Sequence, residues 1–476
     1  MVSKRNIAGL VSSLLIAGCT VGPDYSRPSS VLPDRYVTNE SGSSADQNPD
    51  PTSLAAWWIN FKDPILNQLI EHALGQNLEL EQARARISQA EAGSDYATAA
   101  LLPSGNASAQ ASRNYQSTET PEGRLMINSP DYDRYGNSYD GNVSAQWEID
   151  IFGGLQRNRE SAISLYASTV AQASATRLGI TSRTAETYIR IRGLQARIAV
   201  AEKQLRTRQE LLEKISLLKD KGLASDYQVS QAEGNFYNVK SLIPTLQDNL
   251  AREMNAVDIL LGAPPGTYRS MLSQPQGIPA AHQINDIGSP ADLLTRRPDI
   301  ISAERLLATT NADIGSAIAE YYPKFSISGL IGTSTSVSSG NMFTGPASQA
   351  AGIFGLQWRL FDFGRINADI KAAKGRNAEA LASYRLTVLH AAEDVENALS
   401  SSIHTRQQAE SLKKSEEAFE AAREASYSAY KAGTSSLIDV LYNDESLLTA
   451  SDNRVRAQVQ STLATVSIYK ALGGGW

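Results

Sequence analysis

Two stretches of this chain alternate between apolar and polar residues. The apolar positions are Val143, Ala145, Trp147, Ile149 and Ile151 in the first stretch, and Phe354, Leu356, Trp358 and Leu360 in the second. An apolar residue at every second position is typical of a strand with one buried face. A partner strand and a polar loop precede each stretch, at about 105–114 and 115–140, and at about 325–331 and 333–350. The pattern predicts two β-hairpins, at about 103–152 and 323–363.

Long proline-free stretches follow both hairpins, from Gly154 to Lys221 and from Arg365 to Ala432. Apolar residues in the first recur at intervals of three and four, with an interruption at Arg208, which is typical of a helix. At about 1.5 Å per residue, each helix would be roughly 100 Å long. Gly222 and Gly433 follow directly, as expected of helix C-caps. We therefore predict a turn at each glycine and return helices at 223–261 and 434–472.

The same arrangement occurs twice along the chain. Asn77 and Pro103 align with Arg297 and Pro323 at one constant offset, and a second offset aligns the residues around Gly153 with those around Gly364. Internal repeats of this kind indicate a duplicated structural unit, here helix, hairpin, helix. The predicted organisation is a signal peptide (1–18), a lipidated extended stretch (19–62), a first repeat (63–266), an equatorial linker (267–289) and a second repeat (290–476).

The second repeat begins with a helix predicted from near Pro290 to Tyr321. Together with the return helix at 223–261, it has about the length of one long helix. Two short helices stacked end to end could therefore line a cylinder beside the long ones. We expect the helix at 290–321 to stack on the return helix at 223–261.

The N-terminus has the features of an export signal. Lys4 and Arg5 precede a short apolar run, which ends at Ala17-Gly18-Cys19. Small residues before a cysteine resemble the lipobox of bacterial lipoproteins, so we expect cleavage before Cys19 and acylation of its thiol, for example with palmitate. A free thiol in an ordinary signal peptide is the alternative. Thr20, rather than an aspartate, follows the cysteine, which favours passage to the outer membrane.

Charge and composition exclude several classes of function. The net charge is −6, so nothing indicates a nucleic-acid partner. Cys19 is the only cysteine, which excludes a disulfide within the chain and a cysteine metal cluster. The four histidines stand at no metal-ligand spacing, and no glycine-rich phosphate loop is present. We therefore predict no metal site, no cofactor and no catalytic residues, and we expect that the protein is not an enzyme.

Four stretches of the sequence carry a family resemblance. They are Cys19–Tyr25 with Arg27-Pro28; Trp57-Trp58 with Phe61 and Asp63-Pro64; Leu294 with Arg297–Ile300, Ala303-Glu304, Ile314-Gly315 and Pro323; and Phe361–Arg365 with the C-terminal Ala471–Trp476. In this order they resemble the TolC-type outer-membrane efflux family, in its lipoprotein subgroup. The resemblance covers nearly the whole mature chain.

The resemblance implies a mainly α fold with a small β part, assembled as a homotrimer. Twelve strands would form an outer-membrane β-barrel, continued by a long periplasmic α-helical barrel. The partners implied are outer-membrane lipid, a periplasmic adaptor (membrane fusion) protein and an inner-membrane pump of the resistance–nodulation–division type. The function implied is a passive exit duct for drugs and other small molecules. An exit duct for type I protein secretion and a lipid-anchored coiled-coil scaffold are the alternatives.

The resemblance also suggests a periplasmic gate at the turns of Gly222 and Gly433. Tyr430 and Asp439 match positions that hold the gate in the family, and Tyr442 stands where some members have a second aspartate. In the first repeat the candidates are Asp226 and Gln228. The alternative is that Asp439 only caps the returning helix, because an anion is stabilising at a helix N-terminus.

Two further pairs of residues stand where strands meet helices. Gly153 and Gly364 each follow a phenylalanine and are predicted to allow the bend from strand to helix. Trp147 and Trp358 would either lie in an aromatic belt at the membrane interface or pack in the core of this junction.

Overall fold

The structure is a computed structural model that describes residues 20–29, 32–33, 35–39, 54–130, 132–280, 282, 284 and 287–476. The predicted signal peptide and Cys19 lie outside these residues. The described chain divides into two compact units. The strand unit contains the described residues up to Arg27, together with Ser88–Ser168 and Glu304–Ser383. The helical unit contains the described residues from Pro28 to Ile87, together with Thr169–Ala303 and Tyr384–Trp476.

Each unit draws on both predicted repeats, because the long helices of both repeats continue from one unit into the other. In chain order, the α-helices of the described residues are α1 Pro64–Gln76, α2 Leu78–Ala99, α3 Pro121–Met126, α4 Gly154–Asp220, α5 Asp226–Leu260, α6 Arg269–Leu272, α7 Leu293–Arg296, α8 Pro298–Ala319, α9 Arg365–Lys431 and α10 Leu437–Ala471. Short 3₁₀ segments lie at Val37–Asn39, Trp57–Phe61, Pro290–Asp292, Ser339–Asn341 and Gly345–Ala347.

The strand unit holds one antiparallel sheet in the order β1-β2-β3-β4. The strands are β1 Ser104–Tyr115, β2 Tyr135–Ile149, β3 Lys324–Thr335 and β4 Ser348–Gln357. Two of the sequence predictions need correction here. β2 begins at Tyr135, well before Val143, and the predicted loop before it contains α3. β4 ends at Gln357, so Trp358 and Leu360 lie beyond the strand despite their apolar alternation.

The register brings most of the apolar positions of the four strands to one face. Val143 of β2 lies opposite Ala107 of β1 and Ile331 of β3, and Ile331 lies opposite Ala350 of β4. Directly opposed residues share a face of an antiparallel sheet, and the side-chain period is two. We call this side the apolar face. Most residues on the other side are polar, as in the pair Asn106 and Ser144.

The long helices end where their glycines predict, at Asp220 and Lys431, and each has 67 residues. The return helices α5 and α10 have 35 residues each. They begin at Asp226 and Leu437, three residues later than the sequence pattern suggests. The delay arises because Ser225 and Ser436 have extended backbones and cap these helices with their side chains.

The helix predicted over 290–321 is not continuous. Arg297 is extended, with φ −79° and ψ 120°, and it separates α7 from α8. The cause is Pro298, because the ring of a proline disfavours the helical conformation of the residue before it. In the first repeat Asn77 makes the equivalent break between α1 and α2, with ψ 127°. Its side-chain Oδ1 accepts hydrogen bonds from the backbone N–H groups of Glu79 and Leu80.

Both return helices end at these breaks. The Nδ2 of Asn77 donates to the carbonyl oxygen of Leu260, at the end of α5, at 2.8 Å. Arg297 Nη1 donates to the carbonyl oxygen of Ala471, at the end of α10, at 3.2 Å. Each return helix therefore meets the second helix of its own repeat, α2 or α8. The prediction that the helix at 290–321 stacks on the return helix at 223–261 is wrong.

The largest core of the helical unit lies around Trp57, which is fully buried. Its ring stacks on Tyr469 with 5.3 Å between centroids, and it meets Trp58 and Phe61 edge to face. The C-terminus closes against the same core, because Trp476 Nε1 donates to the carbonyl oxygen of Arg296. The Trp57-Trp58 motif and the C-terminal motif therefore both pack in this unit. None of the helices in the described part of the chain is long and apolar enough to cross a membrane.

Candidate functional site

The two helix turns have the same hydrogen-bonded geometry. Gly222 and Gly433 have φ of +76° and +75°, a conformation that only glycine adopts without strain. In the first turn the N–H groups of Gly222 and Leu223 donate to the carbonyl oxygens of Lys219 and Leu218, both at 2.8 Å. This pair of bonds is a Schellman C-cap, and Gly433 forms the same motif with Thr434.

Each return helix then begins with a capping box. In the second repeat, Asp439 Oδ2 accepts the backbone N–H of Ser436 at 3.0 Å and the hydroxyls of Ser436 and Ser435 at 2.8 and 2.9 Å. In the first repeat Gln228 Oε1 accepts the backbone N–H of Ser225 at 2.9 Å. Hydrogen bonds from the Ser436 and Ser435 hydroxyls and from the Ser436 N–H lower the pKa of Asp439.

The first turn carries an ion pair in place of a charged cap. Lys219 Nζ lies 2.5 Å from Asp226 Oδ1, and the side chain of Asp226 is 86% exposed. The hydrogen bond from Lys219 lowers the pKa of Asp226. Because exposed pairs are weakly stabilising, this contact orients the turn more than it stabilises it.

A small apolar cluster lies directly behind the turns. We call it the tip core, and its buried members are Leu211, Ile215, Ala232, Leu437, Val440 and Leu441. Tyr427 and Tyr430 pack against it and are partly buried. Tyr442, which lies on α10 about one turn after Asp439, is 70% exposed. The two tyrosines among the gate candidates therefore have opposite environments.

The five gate candidates do not form one cluster in the described chain. Asp439 and Gln228 bond within their own turns, Asp226 pairs with Lys219, and Tyr430 packs on the tip core. The capping contacts expected of the alternative interpretation of Asp439 are present. The gate assignment itself stays a prediction, because it requires contacts between copies of the chain.

Sequence reasoning missed two ion pairs beside the tip core, each with one buried member. Arg423 Nε of α9 lies 2.9 Å from Asp444 Oδ1, and Arg208 Nη2 of α4 lies 2.9 Å from Glu445 Oε2. Asp444 is fully buried and Arg208 is 2% exposed. Two consecutive residues of α10 thus bind arginines of two different helices. The sequence did mark one member of these pairs, because Arg208 is the residue that interrupts the apolar stripe of α4.

This arrangement is specific to the second repeat. At the repeat offset, Glu233 and Gly234 of α5 take the places of Asp444 and Glu445, and Leu212 takes the place of Arg423. The first repeat therefore lacks both the second acid, on α5, and the arginine, on α4. We call the contacts of Asp444 and Glu445 the α10 clamp.

Further polar contacts join α4 to both helices of the second pair. Lys214 Nζ lies 2.9 Å from the Tyr427 hydroxyl of α9, and Arg197 Nε lies 2.6 Å from Asp452 Oδ1 of α10. With the α10 clamp, these contacts link the first helix pair, α4 and α5, to the second pair, α9 and α10. The links lie in the helical unit and lead toward the turns.

At the junctions of the strand unit, both predicted glycines have positive φ, +77° at Gly153 and +88° at Gly364. The tryptophans before them are hydrogen-bonded to the turns that follow α2 and α8. Trp147 Nε1 donates to the carbonyl oxygen of Leu101, and Trp358 Nε1 to that of Tyr321. In the single chain their exposed fractions are 37% and 53%, and the choice between an aromatic belt and core packing at the junction stays a prediction.

The described residues nearest to Cys19 are docked on the first junction. The N–H of Val21 donates to the carbonyl oxygen of Phe152 at 3.1 Å. Arg157 donates to the Val21 carbonyl oxygen at 3.1 Å and pairs with Asp24 at 2.8 Å. The hydroxyl of Tyr25 donates to the buried carboxylate of Glu304 at 2.9 Å. We call residues 20–27 the N-terminal segment of the strand unit.

Gly22 shows how closely this segment packs. Its φ is +95°, and a Cβ added there would lie 2.4 Å from the Cα of Gly315 on α8.

Across the described residues, no group of three or more His, Cys, Asp and Glu side chains is placed to hold a metal ion.

Comparison with known proteins connects this geometry to a family. A family model described as outer membrane efflux protein matches residues 69–263 and 290–474, which is most of both repeats. The chain belongs to the outer membrane efflux protein family. The gap in the match, between 263 and 290, falls in the region that the sequence assigns to the linker.

Individual members of the family align over nearly the full chain. Nodulation protein T of Rhizobium leguminosarum bv. viciae is 31% identical over 99% of this chain and 93% of its own length. The pyoverdine export outer membrane protein OpmQ of Pseudomonas putida is 29% identical over 100% and 98%. The solved structure of the outer-membrane channel OprN is 30% identical, with a TM-score of 0.86 over 96% of this chain and 100% of that one.

These likenesses decide three of the predictions. The mainly α fold with a small β part, duplicated as in TolC-type channels, is confirmed. The location in the outer membrane and the role as an efflux channel component are confirmed as well. The family favours efflux over the protein-secretion duct and over the coiled-coil scaffold.

Proposed function

We propose that three copies of this efflux family member form one conduit through the outer membrane. The sheet carries the proposal: it has an apolar and a polar face, and β1 and β4 are edges without a partner among the described strands. In lipid every backbone polar group needs a hydrogen-bond partner, so both edges must be paired. Pairing β1 of one copy with β4 of the next closes the sheet by rotational symmetry. Three copies would contribute twelve strands.

The two faces of the sheet indicate which side of the assembly would meet lipid. The apolar face, which includes Val143 and Ile331, would meet lipid, and the polar face would line a water-filled passage. The mass of the particle extracted in native lipid tests the assembly. A mass of three chains is expected, and a lone chain would contradict the proposal. Conductance in planar bilayers tests the passage, and a trimer without conductance would contradict it.

We further infer that the conduit is the passive exit duct of a tripartite efflux system. It would act with a periplasmic adaptor protein and an inner-membrane pump of the resistance–nodulation–division type. It would perform no chemistry of its own. The relative named for pyoverdine export supports small molecules as cargo. Deleting the gene should raise the accumulation of pump substrates in the cell. Unchanged accumulation, with the pump present, would contradict this role.

A lipid anchor at Cys19 is part of the same proposal. The N-terminal segment supports it, because Thr20 lies against Gly153 at the strand-to-helix junction. An acylated neighbour at position 19 would therefore begin close to the end of β2, where the conduit enters lipid. Mass spectrometry of the N-terminal peptide should show an acylated cysteine. In the Cys19→Ser variant that mass should be lost, and an unmodified Cys19 in the wild type would refute the anchor.

We also propose that the turns at Gly222 and Gly433 form the periplasmic gate. Three-fold symmetry would repeat Asp439, Tyr430 and Tyr442 as rings, with Asp226 and Gln228 beside them. A ring of carboxylates favours cations. Asp439→Asn should therefore lower the cation-over-anion permeability ratio of the channel. Ser436→Ala is the matched control, because it removes the cap but keeps the carboxylate. Equal ratios in the wild type and Asp439→Asn would contradict the ring.

A further inference from the structure

An arginine–tyrosine cluster lies at the loop end of the first hairpin. Tyr115 and Tyr135 are directly opposed across β1 and β2, and their rings are 4.8 Å apart. The guanidinium of Arg134 lies over the Tyr115 ring at 4.2 Å, and that of Arg113 lies over the Tyr135 ring at 5.3 Å. We call these four residues the Arg–Tyr cluster. It has no counterpart in the second hairpin, where Thr333 and Ser348 are paired at the loop end.

The register places this cluster on the apolar face. Tyr135 and Val143 are an even number of residues apart on β2, as are Arg113 and Ala107 on β1, and Val143 lies opposite Ala107. Side chains of a strand alternate between faces with period two, so Arg113, Tyr115 and Tyr135 are on the side of Val143. The cluster therefore ends the apolar face at the hairpin loop that carries α3.

The two guanidiniums stack on the rings of one tyrosine pair and lack a carboxylate partner among the described residues. No carboxylate of a described residue lies within ion-pair distance of Arg113 or Arg134. Arg134 uses its Nε to bind the carbonyl oxygen of Gln116 at 3.2 Å, which fixes the side chain but does not neutralise it. Stacking on a ring leaves the N–H edges of a guanidinium available to an oxyanion. Two guanidiniums without a carboxylate partner, held on one pair of adjoining rings, favour a bound anion.

The surroundings select the kind of anion. Tyr115 and Tyr135 are 57% and 53% exposed, and tyrosines concentrate where apolar and aqueous phases meet. Just beyond the cluster, α3 and the residue after it expose Leu125, Met126 and Ile127. A free phosphate would not use the apolar side chains, and a neutral lipid would not use the arginines. A phosphorylated lipid matches both.

We propose that the Arg–Tyr cluster binds the phosphate groups of lipid A, the phosphorylated glycolipid of the outer leaflet. The inference rests on the proposed function, because it requires the apolar face to meet lipid and the hairpin loops to lie at the outer surface. The guanidiniums of Arg113 and Arg134 contact the phosphates in the bidentate manner typical of arginine. The acyl chains then lie along the apolar face below the cluster.

Native mass spectrometry of the full-length protein, released from detergent in the presence of defined lipids, tests the proposal. The probes are bisphosphorylated lipid A and the same lipid with both phosphates removed. The wild type should retain the phosphorylated form about tenfold more strongly, since each charge-assisted contact contributes to the difference. Equal retention of the two lipids would overturn the proposal.

Variants assign the effect to the cluster. The double variant Arg113→Gln/Arg134→Gln should lose the preference, whereas Arg124→Gln should keep it. Arg124 is exposed on α3 in the same loop, so its variant removes a positive charge that lies near the cluster but outside it. Loss of the preference in Arg124→Gln as large as in the double variant would mean unspecific charge attraction. That result would also overturn the proposal.

A second double variant separates charge from packing. Arg113→Lys/Arg134→Lys keeps both charges and should stay within about threefold of the wild type, because lysine also binds phosphate. A loss equal to that of the glutamine variant would refute phosphate binding. Conductance measured on the same samples shows which of the two proposals has failed. Normal conductance without lipid preference would defeat only this inference, whereas absent conductance would defeat the proposed conduit.

Discussion

Arg423 and Asp444 form an ion pair in which only the acid is fully buried. Their atoms Nε and Oδ1 are 2.9 Å apart, and the side chain of Arg423 is 24% exposed against 1% for Asp444. The second carboxylate oxygen of Asp444 is buried and has no hydrogen-bond partner among the described residues. The pair therefore joins α9 to α10 near the turn, and its two members should respond differently to substitution.

The first prediction follows from this asymmetry. Arg423→Gln leaves an uncompensated buried carboxylate, which costs about 3–5 kcal/mol in typical buried pairs. Asp444→Asn leaves a partly exposed arginine that water can solvate, so we expect a smaller loss. Hydrogen exchange of peptides from α9 and α10 measures the difference. Equal protection in both variants would contradict the buried state of Asp444.

The second prediction concerns the link between the two helix pairs. Glu445→Gln removes the partner of the buried Arg208 and weakens the contact between α4 and α10. If the turns form the gate, the variant should increase the resting conductance several-fold, because the second helix pair is then less restrained. Glu233→Gln is the matched control, since it removes an exposed acid of α5 beside Gly234, the position that corresponds to Glu445. An equal increase in both variants would mean that charge, not the clamp, controls the conductance.

The third prediction is a pH dependence of the second turn. The serine hydroxyls and the Ser436 N–H lower the folded-state pKa of Asp439 below its unfolded value. Such a group stabilises the fold fully above the unfolded pKa of about 3.9, and the contribution is lost as the pH falls through the folded pKa. Hydrogen exchange at the start of α10 should therefore accelerate in acid, after correction for the intrinsic rate.

Asp439→Asn provides the control for this effect. Asparagine can still accept hydrogen bonds from Ser436 but does not titrate, so the acid-induced part of the acceleration should disappear. The same acceleration in the variant would assign the effect to another group, such as Asp226 or an acid further along α10.

The fourth prediction tests the docking of the N-terminal segment. Gly22→Ala requires a methyl group 2.4 Å from the Gly315 Cα, as well as a strained φ, so it should release the segment. Gly266→Ala is the matched control, because Gly266 has nearly the same φ of +98° with no atom within 4 Å of the added Cβ. Limited proteolysis should cut the N-terminal segment faster in Gly22→Ala only. Equal cutting in both variants would mean that the contact of Gly22 with α8 does not hold the segment in place.

Local sequence patterns were sufficient for most of the secondary structure, because each depends on neighbouring residues. The absence of proline defines α4 and α9, and Gly222 and Gly433 end them through positive φ. The pattern was less reliable at strand ends. Trp358 and Leu360 continue an apolar alternation beyond the end of β4, because alternation records which side a residue faces and not whether it pairs.

The candidate site was only partly predictable. Gly222, Gly433 and Asp439 could be placed at the turns from sequence, since capping is a local property. Arg208 was visible as an interruption in the apolar stripe, but its partner Glu445 is more than two hundred residues away along the chain. The pairing of Arg423 with Asp444 likewise depends on how α9 packs against α10.

By itself the sequence determined the duplication, the length of the helices, the position of the turns and the membership of an outer-membrane efflux family. Those features depend on residues close together in the chain or on similarity to known sequences. Only the tertiary structure decided which helix ends meet, which arginine neutralises which acid and where residues 20–27 dock. The physical reason is that a buried charge or a close backbone contact is defined by groups from distant segments, and their distance is set only when the chain is folded.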